Sequence, residues 1–111
     1  MNFSGKHAVV TGGTGALGTS VVSALIGAGA TCTVPYVHDA EAGRFPYRGQ
    51  PQVTLIKVSD LSEEAEVAKV YAGAKSLWAS IHIAGGFAAA RIIDIDKAAL
   101  MAQIDSNLTS C

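Results

Sequence analysis

The chain has 111 residues, 50% of them hydrophobic, with Lys+Arg 8 against Asp+Glu 9 for a formal net charge of -1. With only 15% of residues charged the chain can bury a core and is not disordered, and its near-neutral balance gives no electrostatic reason to expect nucleic acid. No apolar run approaches the ~20 residues that cross a bilayer, and Met1 to Gly5 lacks the basic region of an export signal, so no membrane is expected and the cytoplasm is the expected location. One domain, residues 1–111, fits the length. Cys32 and Cys111 lie far apart, and His7, His38 and His82 are scattered, which disfavours a structural metal or a disulfide framework.

In chain order, a short apolar stretch from Lys6 to Val10 ends in the glycine-rich Thr11 to Gly18, and Val21, Val22, Ala24, Leu25 and Ile26 continue it. That pattern is strand, turn, helix. The helix fades at Gly27-Ala28-Gly29, suited to a C-terminal cap, and Thr31 to Val34 restores β-branched residues bounded by Pro35. Residues 38–52 concentrate charges, glycines and prolines and read as an irregular surface segment, long for its place and therefore a candidate for function.

Val53 to Val58 is a third strand. Ser62-Glu63-Glu64 then supplies a cap and two acids at the start of a helix running to about Ser76. Leu77 to Ile83 is a fourth strand closed by Ala84-Gly85-Gly86, and Asp96 caps a last helix in which Leu100, Ile104 and Leu108 recur every four residues. Apolar strands alternating with helices imply a three-layer α/β/α fold, about four parallel strands covered on both faces.

Gly13-x-Gly15-x-x-Gly18 follows a strand and opens a helix, the context in which a glycine pattern points to dinucleotide binding. Glycine permits backbone angles barred to other residues and lets a pyrophosphate reach the main chain, while the helix N-terminus offers free N–H groups and a partial positive charge. Thr11 and Thr14 add hydroxyls.

The segment TGGTGALG, Thr11 to Gly18, resembles the nucleotide-binding turn of the short-chain dehydrogenase/reductases, NAD(P)-dependent enzymes on a Rossmann fold. Three further segments agree in order and separation. Asp60-Leu61 is similar to the family's acidic site against the adenine, Ala84-Gly85 to the end of its Asn-Asn-Ala-Gly motif, and Asn107-Leu108 to its Asn-Leu on the following helix. Ala16 stands where the commoner turn has glycine, and His82-Ile83 replace the two asparagines; the spacing of Gly12, Gly15 and Gly18 is closer to the extended or atypical branches.

The resemblance implies a cofactor held by Gly12, Thr14, Gly15, Ala16, Leu17 and Gly18, by Tyr36 and His38, by Asp60 and Leu61, and by Ile83, Ala84 and Gly85. It also implies a small-molecule carbonyl or alcohol substrate and a homodimer or homotetramer paired through the helix that begins near Asp96.

Choice between NAD and NADP belongs at the end of the second strand, where an acid accepts from the ribose hydroxyls and a base pairs with a 2′-phosphate. Tyr36 occupies that place, and Asp39 lies about 20 residues past the glycine turn. The lack of an acid at Tyr36 tilts the expectation towards NADP, with His38 or Arg44 near the phosphate, and leaves NAD open.

Reduction of a carbonyl needs a proton donor, which the family supplies as a tyrosine with a lysine four residues on, beside a serine and an asparagine. Asn107 matches the asparagine, as an organiser of a water-linked proton relay. Tyr71-x-x-x-Lys75 has the spacing, which would put both on one helix face, but it precedes the fourth strand and reads as a decoy. The chain ends at Cys111 within the rhythm of its last helix, so the expectation is the N-terminal part of a longer oxidoreductase. A non-catalytic NAD(P)-binding module or sensor, or an inactive fragment of such an enzyme, is the alternative.

Overall fold

A computed structural model describes residues 1–111. Four parallel strands, β1 (His7–Thr11), β2 (Thr31–Tyr36), β3 (Val53–Lys57) and β4 (Leu77–His82), form one sheet in the order β3-β2-β1-β4. Helix α1 (Ala16–Gly27) and the short α2 (Asp39–Arg44) connect the strands that step to one side of β1, and α3 (Glu64–Ala72) carries the chain back to β4 on the other side. Right-handed crossovers therefore place α1 and α2 on one face and α3 on the opposite face.

Packing follows the period of two along β1. Ala8 and Val10 join Val22 and Leu25 of α1 and Cys32 and Val34 of β2 in one core, while Val9 turns to the other face and packs with Val58 and Val70 of α3. This two-sided burial is why these strands are near-continuously apolar rather than alternating.

Several local readings need correction. Residues 38–52 are not wholly irregular: Asp39–Arg44 is α2, with Asp39 and Glu41 in its first turn and Arg44 in its last, a charge order that suits the helix dipole. Phe45 then leaves the helix and is fully buried in the α1-side core, edge-on to Tyr47 at 5.7 Å, and the Tyr47 hydroxyl donates to Ser23 Oγ at 2.8 Å. The abundance of breakers hid a segment anchored by one aromatic side chain.

Ser62 does not cap α3. Its N–H and hydroxyl both donate to Asp60 Oδ1 at 2.8 Å, and the helix starts at Glu64 without a side-chain cap. The helix also stops at Ala72, capped by Gly73, so Lys75 falls outside it and shares no helix face with Tyr71.

Strand β2 runs through Pro35 to Tyr36. Thr31 N–H donates to Lys6 O on the β1 side and Cys32 N–H to Gln52 O on the β3 side, so position 35 faces β1. Proline has no N–H to give, and the β1–β2 register accordingly ends at Val9↔Thr33 while β2–β3 pairing continues to Tyr36↔Lys57. The sheet opens between β1 and β2 just where both strands end.

After β4 come a 3-10 turn (Ile92–Asp94) and α4 (Lys97–Ile104), capped as expected by Asp96, whose carboxylate accepts from Ala99 N–H at 2.8 Å. Instead of continuing regularly, the helix widens into a π turn over Asp105–Thr109, with Ser110 N–H bonded to Asp105 O at 3.0 Å. The expected apolar rhythm does not meet a core: Leu100 and Leu108 are 54% and 70% exposed, and no residue after Val70 is buried. Strand β4 is the sheet edge, with Trp78 touching only the ring of Phe3 among the aromatics, at 4.9 Å. No helix is long and apolar enough to cross a membrane.

Candidate functional site

All four strands are parallel, so their carboxyl ends lie on one edge, and the strand order reverses direction between β1 and β4. Ligands of open α/β sheets sit in the crevice outside such a reversal. Here that crevice has two adjoining chambers, of about 390 and 360 Å3.

The floor is the glycine turn. Gly12 adopts φ +69°, and a Cβ there would stand 2.5 Å from Ala84 N, so the turn can meet the end of β4 only as glycine. A Cβ on Gly18 would stand 1.9 Å from Gly12 O, which makes glycine the condition for α1 to start directly under the turn. Gly15 differs, since its nearest neighbour would be Gly12 O at 3.4 Å; it leaves the approach from the crevice bare rather than relieving a clash. Gly15 is also the N-cap of α1, and no side chain caps the helix. The first-turn N–H groups of a 12-residue helix therefore lie without a cap from the chain itself, beside the crevice.

The walls come from the ends of the other strands. Thr11 holds β4 in place, its main-chain oxygen accepting from Ile83 N–H at 3.0 Å and its Oγ1 from Ala84 N–H at 3.4 Å. Tyr36, half-buried, ends β2, and the exposed His38 precedes α2. Asp60 follows β3 with its carboxyl held below the usual carboxylate range, mainly by the Ser62 N–H and then by the Ser62 hydroxyl.

The residues that the resemblance implies for the cofactor line one or both chambers: Gly12, Thr14, Gly15, Ala16, Leu17 and Gly18 from the turn, Tyr36 and His38 from β2 onward, Asp60 and Leu61 after β3, and Ile83, Ala84 and Gly85 after β4; Arg44, expected as a possible partner of a 2′-phosphate, does not. Asn107 does not line either. Asp39, about 20 residues past the glycine turn, is bonded to Lys57 at 2.8 Å and is absent from the lining; Glu41, which the sequence did not single out, lines both chambers. No motif marks Glu41, because its position depends on a helix that the breakers around it concealed.

The arrangement offers an anion cradle of main-chain N–H groups, hydroxyls and carboxylates at one flank, and a β4 end held against the turn. Solved structures share the fold that carries it. The chain aligns with a protein assigned as a 3-oxoacyl-reductase from Bacillus thuringiensis at TM-score 0.78 and 26% identity, over 95% of this chain and 47% of that one. A short chain dehydrogenase/reductase family protein aligns at TM-score 0.86 and 23% identity over 99% and 46%, and a short-chain dehydrogenase/reductase of the glucose/ribitol dehydrogenase type from Brucella melitensis at 0.83 and 23% over 99% and 50%. The chain has the fold of a short-chain dehydrogenase/reductase. It spans about half the length of the structures it matches. No family model and no curated protein matches the sequence.

Tyr71 lies elsewhere than the crevice. Its hydroxyl shares a hydrogen bond with Ser80 Oγ of β4, which is 3.0 Å from His82 Nε2, and it lines a separate cavity of about 570 Å3 on the α3 side of the sheet. Within the short-chain dehydrogenase/reductase fold this tyrosine is a link between α3 and β4, and Lys75 is not beside it on the helix.

Proposed function

We propose that residues 1–111 form the cofactor-binding part of an NAD(P)-dependent oxidoreductase that moves a hydride between the nicotinamide and a small carbonyl or alcohol substrate. The supporting observation is the turn in which Gly12 and Gly18 admit no Cβ while Gly15 leaves the uncapped N-terminus of α1 open to the crevice. Gly15, Ala16, Leu17 and Gly18 would hold the pyrophosphate through main-chain N–H groups, with the Thr14 hydroxyl beside them. Asp60 and Leu61 would flank the adenine, and Ile83, Ala84 and Gly85 the nicotinamide side. The bound cofactor supplies the hydride; the residues here bind and orient it.

Asn107 acts in this reading through the loop after β4. Its side chain donates to Gly86 O at 3.0 Å and accepts from Gly86 N–H at 3.0 Å, which fixes the segment next to Ala84 and Gly85. It is a positioning residue, not one in contact with the crevice. Assembly into a homodimer or homotetramer in the cytoplasm belongs to the same proposal, and the exposed Leu100, Met101 and Leu108 offer apolar surface for it.

Titration with NADH and NADPH, followed by nicotinamide fluorescence and by the melting temperature, tests the reading. Saturable binding that raises the melting temperature supports it; no response to either dinucleotide at millimolar concentration removes it. Oxidation of bound NAD(P)H with a panel of aldehydes and ketones then separates an oxidoreductase from a sensing module.

A further inference from the structure

We propose that Glu41 selects the cofactor, in favour of NAD over NADP; this rests on the crevice being the dinucleotide site. Glu41 stands in the first turn of α2, half-buried, and its Oε2 accepts a hydrogen bond from Thr14 Oγ1 at 3.3 Å. A carboxylate carried by the segment after β2 is thereby tied to the phosphate-binding turn itself, and it lines both chambers of the crevice. It lies 23 residues beyond Gly18, close to the ~20-residue offset at which an acid meets the adenosine ribose in dinucleotide folds.

The charges around it point the same way. Besides Glu41, the charged lining side chain is Asp60, and no lysine or arginine lines either chamber. Lys57, at the end of β3, is bound to Asp39 at 2.8 Å, and that hydrogen bond and charge hold its pKa above the ordinary lysine value. Arg44 sits in the last turn of α2 and exposed. His38 is the one lining residue able to carry positive charge.

Ribose hydroxyls are donors and match a carboxylate acceptor, whereas a 2′-phosphate adds roughly -1.5 to -2 charge and acceptors only. Facing Glu41 and Asp60 with no fixed cation, the phosphate is repelled and the bare ribose is accepted. The sequence tilt towards NADP came from the missing acid at Tyr36; the acid is supplied from five positions further along, through a helix that folds back over the turn.

Equilibrium titrations of the full chain and of Glu41→Gln with NADH, NADPH, ADP-ribose and 2′-phospho-ADP-ribose test this, with far-UV circular dichroism as the folding control. The expected result is at least about tenfold tighter binding of NADH than NADPH by the unmodified chain, a difference of ~1.4 kcal/mol. Glu41→Gln should bring the ratio to within about threefold, chiefly by tightening NADPH, and added salt should narrow the preference of the unmodified chain. The same ordering is expected for the two nicotinamide-free probes. Equal affinities in the unmodified chain, or an unchanged ratio in Glu41→Gln, overturns the selector while leaving the dinucleotide site intact. Absence of binding by all four probes overturns the site and the selector together. A salt-independent preference excludes charge as its origin even if Glu41→Gln were to misfold.

Discussion

Asn107 and Gly86 are joined by two hydrogen bonds in opposite directions, Gly86 N–H to Asn107 Oδ1 and Asn107 Nδ2 to Gly86 O, each 3.0 Å long. The amide nitrogen also reaches Gln103 O at 2.9 Å, so one side chain ties the loop after β4 to the end of α4. Gly85 must be glycine for this, since a Cβ there would stand 2.6 Å from Asn107 Oδ1. Asn107→Ala removes both bonds to Gly86, and at a net ~0.5–1.5 kcal/mol each the local opening free energy falls by about 1–3 kcal/mol. Hydrogen exchange at the Gly86 amide should accelerate by about tenfold or more, with little change at β1; equal acceleration at both would mean a global effect.

The glycines of the turn separate into two kinds. Gly18→Ala drives a methyl into Gly12 O and costs about 2–3 kcal/mol by overpacking, a fall of roughly 10 °C or more in melting temperature. Gly15→Ala meets only an ordinary contact at 3.4 Å, and its backbone, φ -77°, suits alanine. Its melting temperature should stay within a few degrees while dinucleotide affinity drops at least about tenfold, because the methyl narrows the approach to the helix N-terminus. Loss of stability and binding in parallel would contradict this division.

The two cysteines differ in reactivity. Cys32, on β2, is fully buried in the α1-side core, and desolvation pushes its thiol from 9.0 up to about 11, whereas Cys111 is exposed. Thiol titration at pH 8 should count one reactive group in the native protein and two in denaturant. A raised folded-state pKa means that the stabilisation from the neutral thiol is complete below pH 9 and is lost as pH rises towards 11, at most about 2–3 kcal/mol. Cys32→Ala should flatten that part of the stability profile.

Tyr71→Phe distinguishes a structural tyrosine from a chemical one. The substitution removes the bond to Ser80 and costs about 0.5–1.5 kcal/mol, read from denaturant midpoints, without changing dinucleotide affinity. A binding defect larger than about threefold would return Tyr71 to the site.

Much of the molecule is legible in the residues because local signals and burial agree. Ala8, Val9 and Val10 are apolar on both faces and lie in the middle of a covered sheet, and the glycines of Thr11 to Gly18 mark the one turn where main chain must come close to main chain. What escaped depended on distant contacts. Asp39–Arg44 forms because Phe45 finds a core built from α1 and β2, and Glu41 reaches the crevice only once that helix is in place. Ser62 has the sequence of a cap, yet Asp60 competes for it locally and wins. Lys75 fell from the helix because Gly73 ends it first.

Strand β4 joins β1 across about two-thirds of the chain, the bond from Ala84 N–H to Thr11 Oγ1 closing a span of 73 of its 111 residues. Pairing of β1 with β2, by comparison, bridges 24 residues at His7↔Thr31. Closure entropy rises with span, so pairing β4 with β1 is the costlier of the two closures. The crevice needs both Gly12 and Ala84, and it therefore exists only while β4 is paired with β1; a dinucleotide that binds there would favour that paired state over any in which β4 is loose.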